Sequence, residues 1–168
     1  DEFYSRATRS PGPFPDEPSI FGGQDLEKGG TWLGVTPSGF ACALVNQRNH
    51  EHRLDARSRG ELVLSVLRAG SISKARTYLQ GVDVHLYNPF HLVYSDGKQL
   101  TVMAGHGEPT WSTLEPGIFV LTNDGLDSRN FPKVDRVRGA LASLPENAED
   151  LFERLKSTLA DGWCPARF

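Results

Sequence analysis

Residues 29–48 read GGTWLGVTPSGFACALVNQR. Two apolar runs, Thr31 to Thr36 and Phe40 to Asn46, meet at Pro37-Ser38-Gly39, the composition of a turn between paired strands. The second run ends on Asn46, an amide at a place where strands favour β-branched or aromatic residues. Such an asparagine has two readings. It folds back on its own backbone as a turn former, or it aims its amide N–H groups at an oxyanion, as acyl transfer requires. Asn123 poses the same alternative at the end of GIFVLTND.

Outward from this hairpin the pattern alternates between strands and helices. Residues 1–30 carry Pro11, Pro13, Pro15 and Pro18 with the pairs Gly22-Gly23 and Gly29-Gly30, and read as an irregular, ordered lead-in. SRGELVLSVLRAG predicts a helix capped by Ser58 and Glu61, with Leu62, Val63, Val66 and Leu67 on one face and Gly70 as its stop. A shorter helix follows from Ile72 to Gln80, burying Ile72, Ala75 and Leu79. FHLVYSDGKQLTVMA predicts two strands around Asp96-Gly97, a pair suited to a type I′ turn. GIFVLTND predicts one more strand. Pro132 opens a helix with Val134, Val137, Leu141 and Leu144 at helical spacing, and Glu146 to Ala160 predicts another through Leu151, Phe152, Leu155 and Leu159. The order implies a single α+β domain over residues 1–168, with sheet layers covered by helices.

Composition narrows the function. The net charge of −3, from 18 basic and 21 acidic residues spread along the chain, offers no field to draw in nucleic acid or anionic membrane. No apolar stretch approaches the 18 or so residues of a membrane span, and the polar start, DEFYSRATRS, is not a secretory leader. The two cysteines lack a Cys-x-x-Cys pattern, which fits a reducing, cytoplasmic setting. Cys42 lies between Ala41 and Ala43 as a small buried hydrophobe, and Cys164 sits in the more polar DGWCPARF.

The histidines are the other chemistry-bearing residues. His50 and His52 stand two apart in the polar loop NQRNHEHRLDARSR, with no third ligand at a metal-binding spacing, so no metal site is assigned. His91 alternates with strand residues. Haem needs only one or two imidazoles, which leaves His50, His91 and His106 as candidate haem ligands. Arg48, Arg53, Arg57 and Arg59, interleaved with Glu51 and Asp55, read as a solvated connector where a small anionic group could dock. QDLEKGGTW lacks the Gly-Lys-Ser/Thr order of a phosphate loop.

Taken in order, DEFYSR, GGTWLGVTPSG, ALVNQR, SRGEL, YNPF, PGIFVLTN and FPKV resemble the NRDE family, also called the transport and Golgi organisation family. The resemblance spans nearly all of residues 1–139. It implies an N-terminal-nucleophile-hydrolase-like αββα sandwich, from which the first and last strands would be missing here. In the cysteine-type relatives an N-terminal Cys attacks an amide. By motif, Asp1 then resembles the Asp that positions its amine, and Asn46 and Asn123 the two asparagines that assist substrate and oxyanion. A chain opening on Asp1 cannot itself make that attack. The resemblance therefore implies a carrier of a small hydrophobic ligand, haem or a lipid or acyl-CoA, in the pocket of an ancestral hydrolase. Trp32, Tyr87, Phe90 and Trp111 are candidate pocket walls or plain core. The alternative it implies is an amidohydrolase whose Cys lies upstream of residue 1.

Overall fold

The computed structural model describes residues 5–48, 50–129 and 131–162. The chain divides into two compact units, Asp1–Glu115 and Pro116–Phe168.

The first unit is built outward from the hairpin. β3 (Leu33–Val35) and β4 (Ala41–Asn46) pair antiparallel, Leu33 opposite Ala43 and Val35 opposite Ala41. The turn closes through the Thr36 amide on the Phe40 carbonyl, with Gly39 at φ 82. The lead-in expected to be irregular forms two further strands, β1 (Thr8–Pro13) and β2 (Phe21–Asp25). Proline is tolerated in β1 because β1 is the sheet edge, where a missing N–H need not cost a ladder bond. Glycine is required in β2. A Cβ on Gly22 would lie 2.5 Å from the Leu33 carbonyl oxygen, so these residues permit close approach instead of breaking the strand.

Beyond β4 come β5 (Phe90–Ser95), β6 (Leu100–Gly105) and β7 (Thr110–Leu114), giving a seven-stranded antiparallel sheet in simple chain order. β7 escaped the sequence reading because its Thr and Ser are largely exposed and leave no apolar alternation. The turn at Asp96-Gly97 is not type I′, which needs positive φ at both positions. Only Gly97 has it (φ 82), and the Asp96 carboxylate accepts the Lys98 and Gln99 amides at 3.0 and 2.9 Å, organising a longer loop.

Two helices, α1 (Gly60–Ala69) and α2 (Ile72–Gln80), follow β4 and supply the other half of the core. Leu62, Val63, Val66 and Leu67 are all buried, in one cluster with Cys42 and Leu44 of β4, Phe90, Leu92 and Tyr94 of β5, and Met103 of β6. Gly70 ends α1 in the left-handed region (φ 66), as read. The Ser58–Glu61 capping box is not formed. The N-cap is Arg59 with no side-chain cap bond, and the Glu61 carboxylate takes the Arg57 guanidinium at 2.6 Å instead. The cap appears one element later, where the Ser71 hydroxyl accepts the Lys74 amide of α2. Ala75 and Leu79 are buried as expected, while Ile72 packs at the core's margin.

Pairing register places Leu33, Val35, Ala41, Ala43, Val45, Val93, Val102 and Ala104 on the sheet face opposite this core. That face is also apolar, and Phe21, Leu33 and Val35 on it are exposed by 49%, 62% and 38%.

The second unit holds a two-stranded ladder, β8 (Leu121–Thr122) with β9 (Gly125–Leu126), then α3 (Pro132–Ala140) and α4 (Ala148–Leu159). The strand expected through GIFVLTND shrinks to two residues. Asn123 falls in the tight turn between β8 and β9, where the Thr122 hydroxyl donates to the Gly125 carbonyl. Pro132 opens α3, and Val134 and Leu141 are buried, but Leu144 lies past the helix and is exposed. The apolar stripe expected in α4 exists, yet no α4 residue is buried, and Phe152 and Leu159 are exposed by 62% and 85%.

Candidate functional site

Asn46 is the last residue of β4, opposite Phe90. Strand alternation gives it the same face as Cys42 and Leu44, so beyond the end of the core it lines a cleft of about 330 Å³. One wall is Trp32 and the start of α1; the other is drawn from the 52–59 segment.

Two motif glycines bring these walls together. A Cβ on Gly30 would lie 2.5 Å from the Gly60 carbonyl carbon, and the Thr31 amide donates to the Gly60 carbonyl. GGTW and SRGEL therefore share a physical reason: the backbones of the hairpin and of α1 touch, and only glycine leaves room. Thr31, buried, has its hydroxyl 2.6 Å from the Gly23 carbonyl and 2.9 Å from that of Leu33, which holds the crossing.

Asp25, the last residue of β2, also lines the cleft. Burial pushes its carboxyl up, but the Arg6 guanidinium at 2.6 Å and the amides of Glu27 and Lys28 outweigh this and hold it below the usual carboxylate range. Arg6, Lys28, Arg53, Arg57 and Arg59 all line the cleft, with Asp25 the one carboxylate among the described lining residues.

The polar loop read as a solvated connector is pinned down. Buried Asn88 accepts the Arg53 amide and donates to the Arg53 carbonyl, both at 2.9 Å. The Arg53 guanidinium donates in turn to the carbonyls of His85 and Tyr87 at 2.6 and 2.8 Å, and Arg59 to that of Pro89. Arg57 rides over the Tyr87 ring at 5.5 Å. These arginines fasten the loop to the segment before β5.

Of the three residues assigned by resemblance, Asn46 lies in the cleft. Asn123 belongs to the second unit, and Asp1 lies outside the described residues. His50 and His106, 56 positions apart in the chain, come together with ring centres 4.1 Å apart, in a hollow of about 300 Å³ that also takes in His85. Arg53 lines both this hollow and the cleft. His91 is not with them. It points to the opposite face from Phe90 and Leu92, its Nδ1 lies 3.5 Å from the Gln47 amide nitrogen, and burial pushes its pKa down. Among the described residues no group of three or more His, Cys, Asp or Glu could hold a metal ion.

Cys42 is inert as a nucleophile, since burial pushes its thiol far up and away from the thiolate; Cys164 lies outside the described residues. Tyr87 and Phe90 are core, Trp111 lies 4.6 Å beneath the Arg76 guanidinium, and Trp32 alone of the four aromatics lines the cleft. Sequence reasoning missed Arg6, Asp25 and Asn88 as site residues. For Asn88 a signal was present: it sits in YNPF ahead of Pro89, where a short amide in an apolar context has to find backbone partners.

No helix among the described residues is long and apolar enough to cross a membrane. The family model described as Transport and Golgi organisation 2 matches residues 1–164. The chain is 34% identical over 136 residues to the human "Transport and Golgi organization protein 2 homolog" (Homo sapiens) and 33% to the mouse "Transport and Golgi organization 2 homolog" (Mus musculus). A bovine homologue (Bos taurus) is 32% identical. Each match takes in 76% of this chain and 49% of the relative, so the chain spans about half the length of the curated relatives it matches.

Proposed function

The chain belongs to the Transport and Golgi organisation 2 family, and on that premise we propose that it is a cytoplasmic ligand carrier that performs no catalysis by itself. The ligand pairs an anionic end with an apolar body, and haem is the first choice, with a lipid or acyl-CoA as the other. The supporting observation is the junction at Arg53: a cleft rich in cations on one side and a hollow holding His50, His85 and His106 on the other. Haem propionates suit the guanidinium side and haem iron the imidazole side. With their ring centres 4.1 Å apart, His50 and His106 would offer the iron a single imidazole, the other lying beside it.

Haemin titrated into the 168-residue chain should shift the Soret band and saturate at one equivalent. One of the two single substitutions, His50→Ala or His106→Ala, should abolish that shift, and the other should leave it largely in place. A shift that survives both substitutions, or none with the parent chain, would refute haem as the ligand.

The αββα layering belongs to the same proposal. An antiparallel sheet ordinarily keeps one polar face toward water, whereas the face carrying Leu33, Val35 and Val93 is apolar, as a sheet packed on both sides would be. Amidohydrolysis is the second reading, supported by the position of Asn46 in the cleft. In a longer form carrying an N-terminal Cys, Asn46→Ala should lower amide turnover by roughly 10² to 10³ if it is an oxyanion donor. Unchanged turnover would remove that role.

A further inference from the structure

We infer that Asn88 and Arg53 are positioning residues that make the 50–57 loop a fixed wall of the cleft, and that Leu54 at its mouth is the apolar contact for the bound molecule. The inference rests on the cleft being the binding site.

The arrangement is reciprocal. The Asn88 side chain spends its acceptor and a donor on one peptide segment, Arg53 N–H and C=O, while the Arg53 side chain returns two bonds to the carbonyls of His85 and Tyr87, just before Asn88. A buried amide must be satisfied, so the Asn88 side chain and the conformation at Arg53 determine each other. Farther along, the Arg57 amide donates to the Leu86 carbonyl at 2.8 Å, giving the loop a second anchor on the same strip. Leu54 lies between the anchors. It lines the cleft, yet 94% of it is exposed. A mobile loop could fold such a side chain away, but one held on both sides keeps it facing the opening. A molecule entering the cleft covers it, and the apolar area then removed from water adds affinity without a cost in ordering the loop.

Two measurements on the full 168-residue chain test this separately. In amide hydrogen exchange, Asn88→Ala should speed exchange over residues 53–57 by about tenfold or more, with β4 to β6 unchanged. Asn88→Asp, which keeps the acceptor for the Arg53 amide, should fall between. Unchanged loop exchange in Asn88→Ala refutes the clamp. In haemin titration, Leu54→Ser should weaken binding by about tenfold, while Leu33→Ser, exposed on the opposite sheet face and outside the cleft lining, should not. Parent-like binding by Leu54→Ser refutes the contact. If the parent chain fails to bind haemin, the haem reading and the Leu54 contact fall together, and the exchange result still decides the clamp.

Discussion

Gly30→Ala is the sharpest test of how the cleft is assembled. The new Cβ would sit 2.5, 2.7 and 2.9 Å from the carbonyl carbon, Cα and oxygen of Gly60, where carbon atoms ordinarily rest about 3.5–4.0 Å apart. Backbone cannot rotate out of the way like the end of a side chain, so the start of α1 must retreat by about 1 Å. The Thr31 amide bond to the Gly60 carbonyl, already 3.3 Å long, would not survive that retreat. Overpacking costs about 1–3 kcal/mol and the lost bond about 1, against which the stiffer unfolded chain returns about 0.5. The net is roughly 2–3 kcal/mol, which for a chain of this size lowers Tm by about 4–10 °C. Thermal unfolding followed by far-UV circular dichroism measures it. Gly29→Ala is the control: it has φ 77 but no atom within 4 Å of a new Cβ, so it should lose only about 1 kcal/mol of backbone strain energy. A Gly30→Ala melt within 1 °C or so of the parent would refute the close crossing of hairpin and helix.

Leu67→Ala should cost about 2–5 kcal/mol in chemical denaturation, because Leu67 is 1% exposed and reaches over Gly34 of β3, so the vacated space has few atoms able to fill it. Asp25→Asn should destabilise the chain at neutral pH, and the gap should close in acid. The folded carboxyl titrates below its unfolded value of about 3.9, so its contribution is present above that pH and is lost as pH falls through the folded value. Parallel stability curves for parent and variant between pH 7 and pH 3 would show that the Arg6–Asp25 pair contributes nothing.

Much of the fold was legible because local and global preferences agree. Leu62, Val63, Val66 and Leu67 recur at helical spacing and are buried together; Gly70 stops the helix it was expected to stop; and the hairpin from Leu33 to Asn46 follows from alternation around Pro37-Ser38-Gly39. Misreadings arose where tertiary context overrides residue preference. Prolines and glycines at 8–25 signal a loop, but an edge position excuses the first and a close strand crossing demands the second. Ser58 and Glu61 have the spacing of a capping box, but Arg57 offers Glu61 a charge-assisted bond that the Ser58 backbone does not match.

The sequence by itself determined the family, the mixed α+β class, the core helices and Asn46 as a residue of interest, since each is written in short-range order and motif. Only the tertiary structure decided that Gly30 meets Gly60, that Asn88 grips Arg53 across 35 positions, and that His50 lies against His106 while His91 faces away. The reason is physical. Spacing along the chain specifies which face of an element a side chain occupies, whereas a site is made by backbones crossing and by buried polar groups finding partners. Those partners exist only once the sheet and its helices have closed on one another.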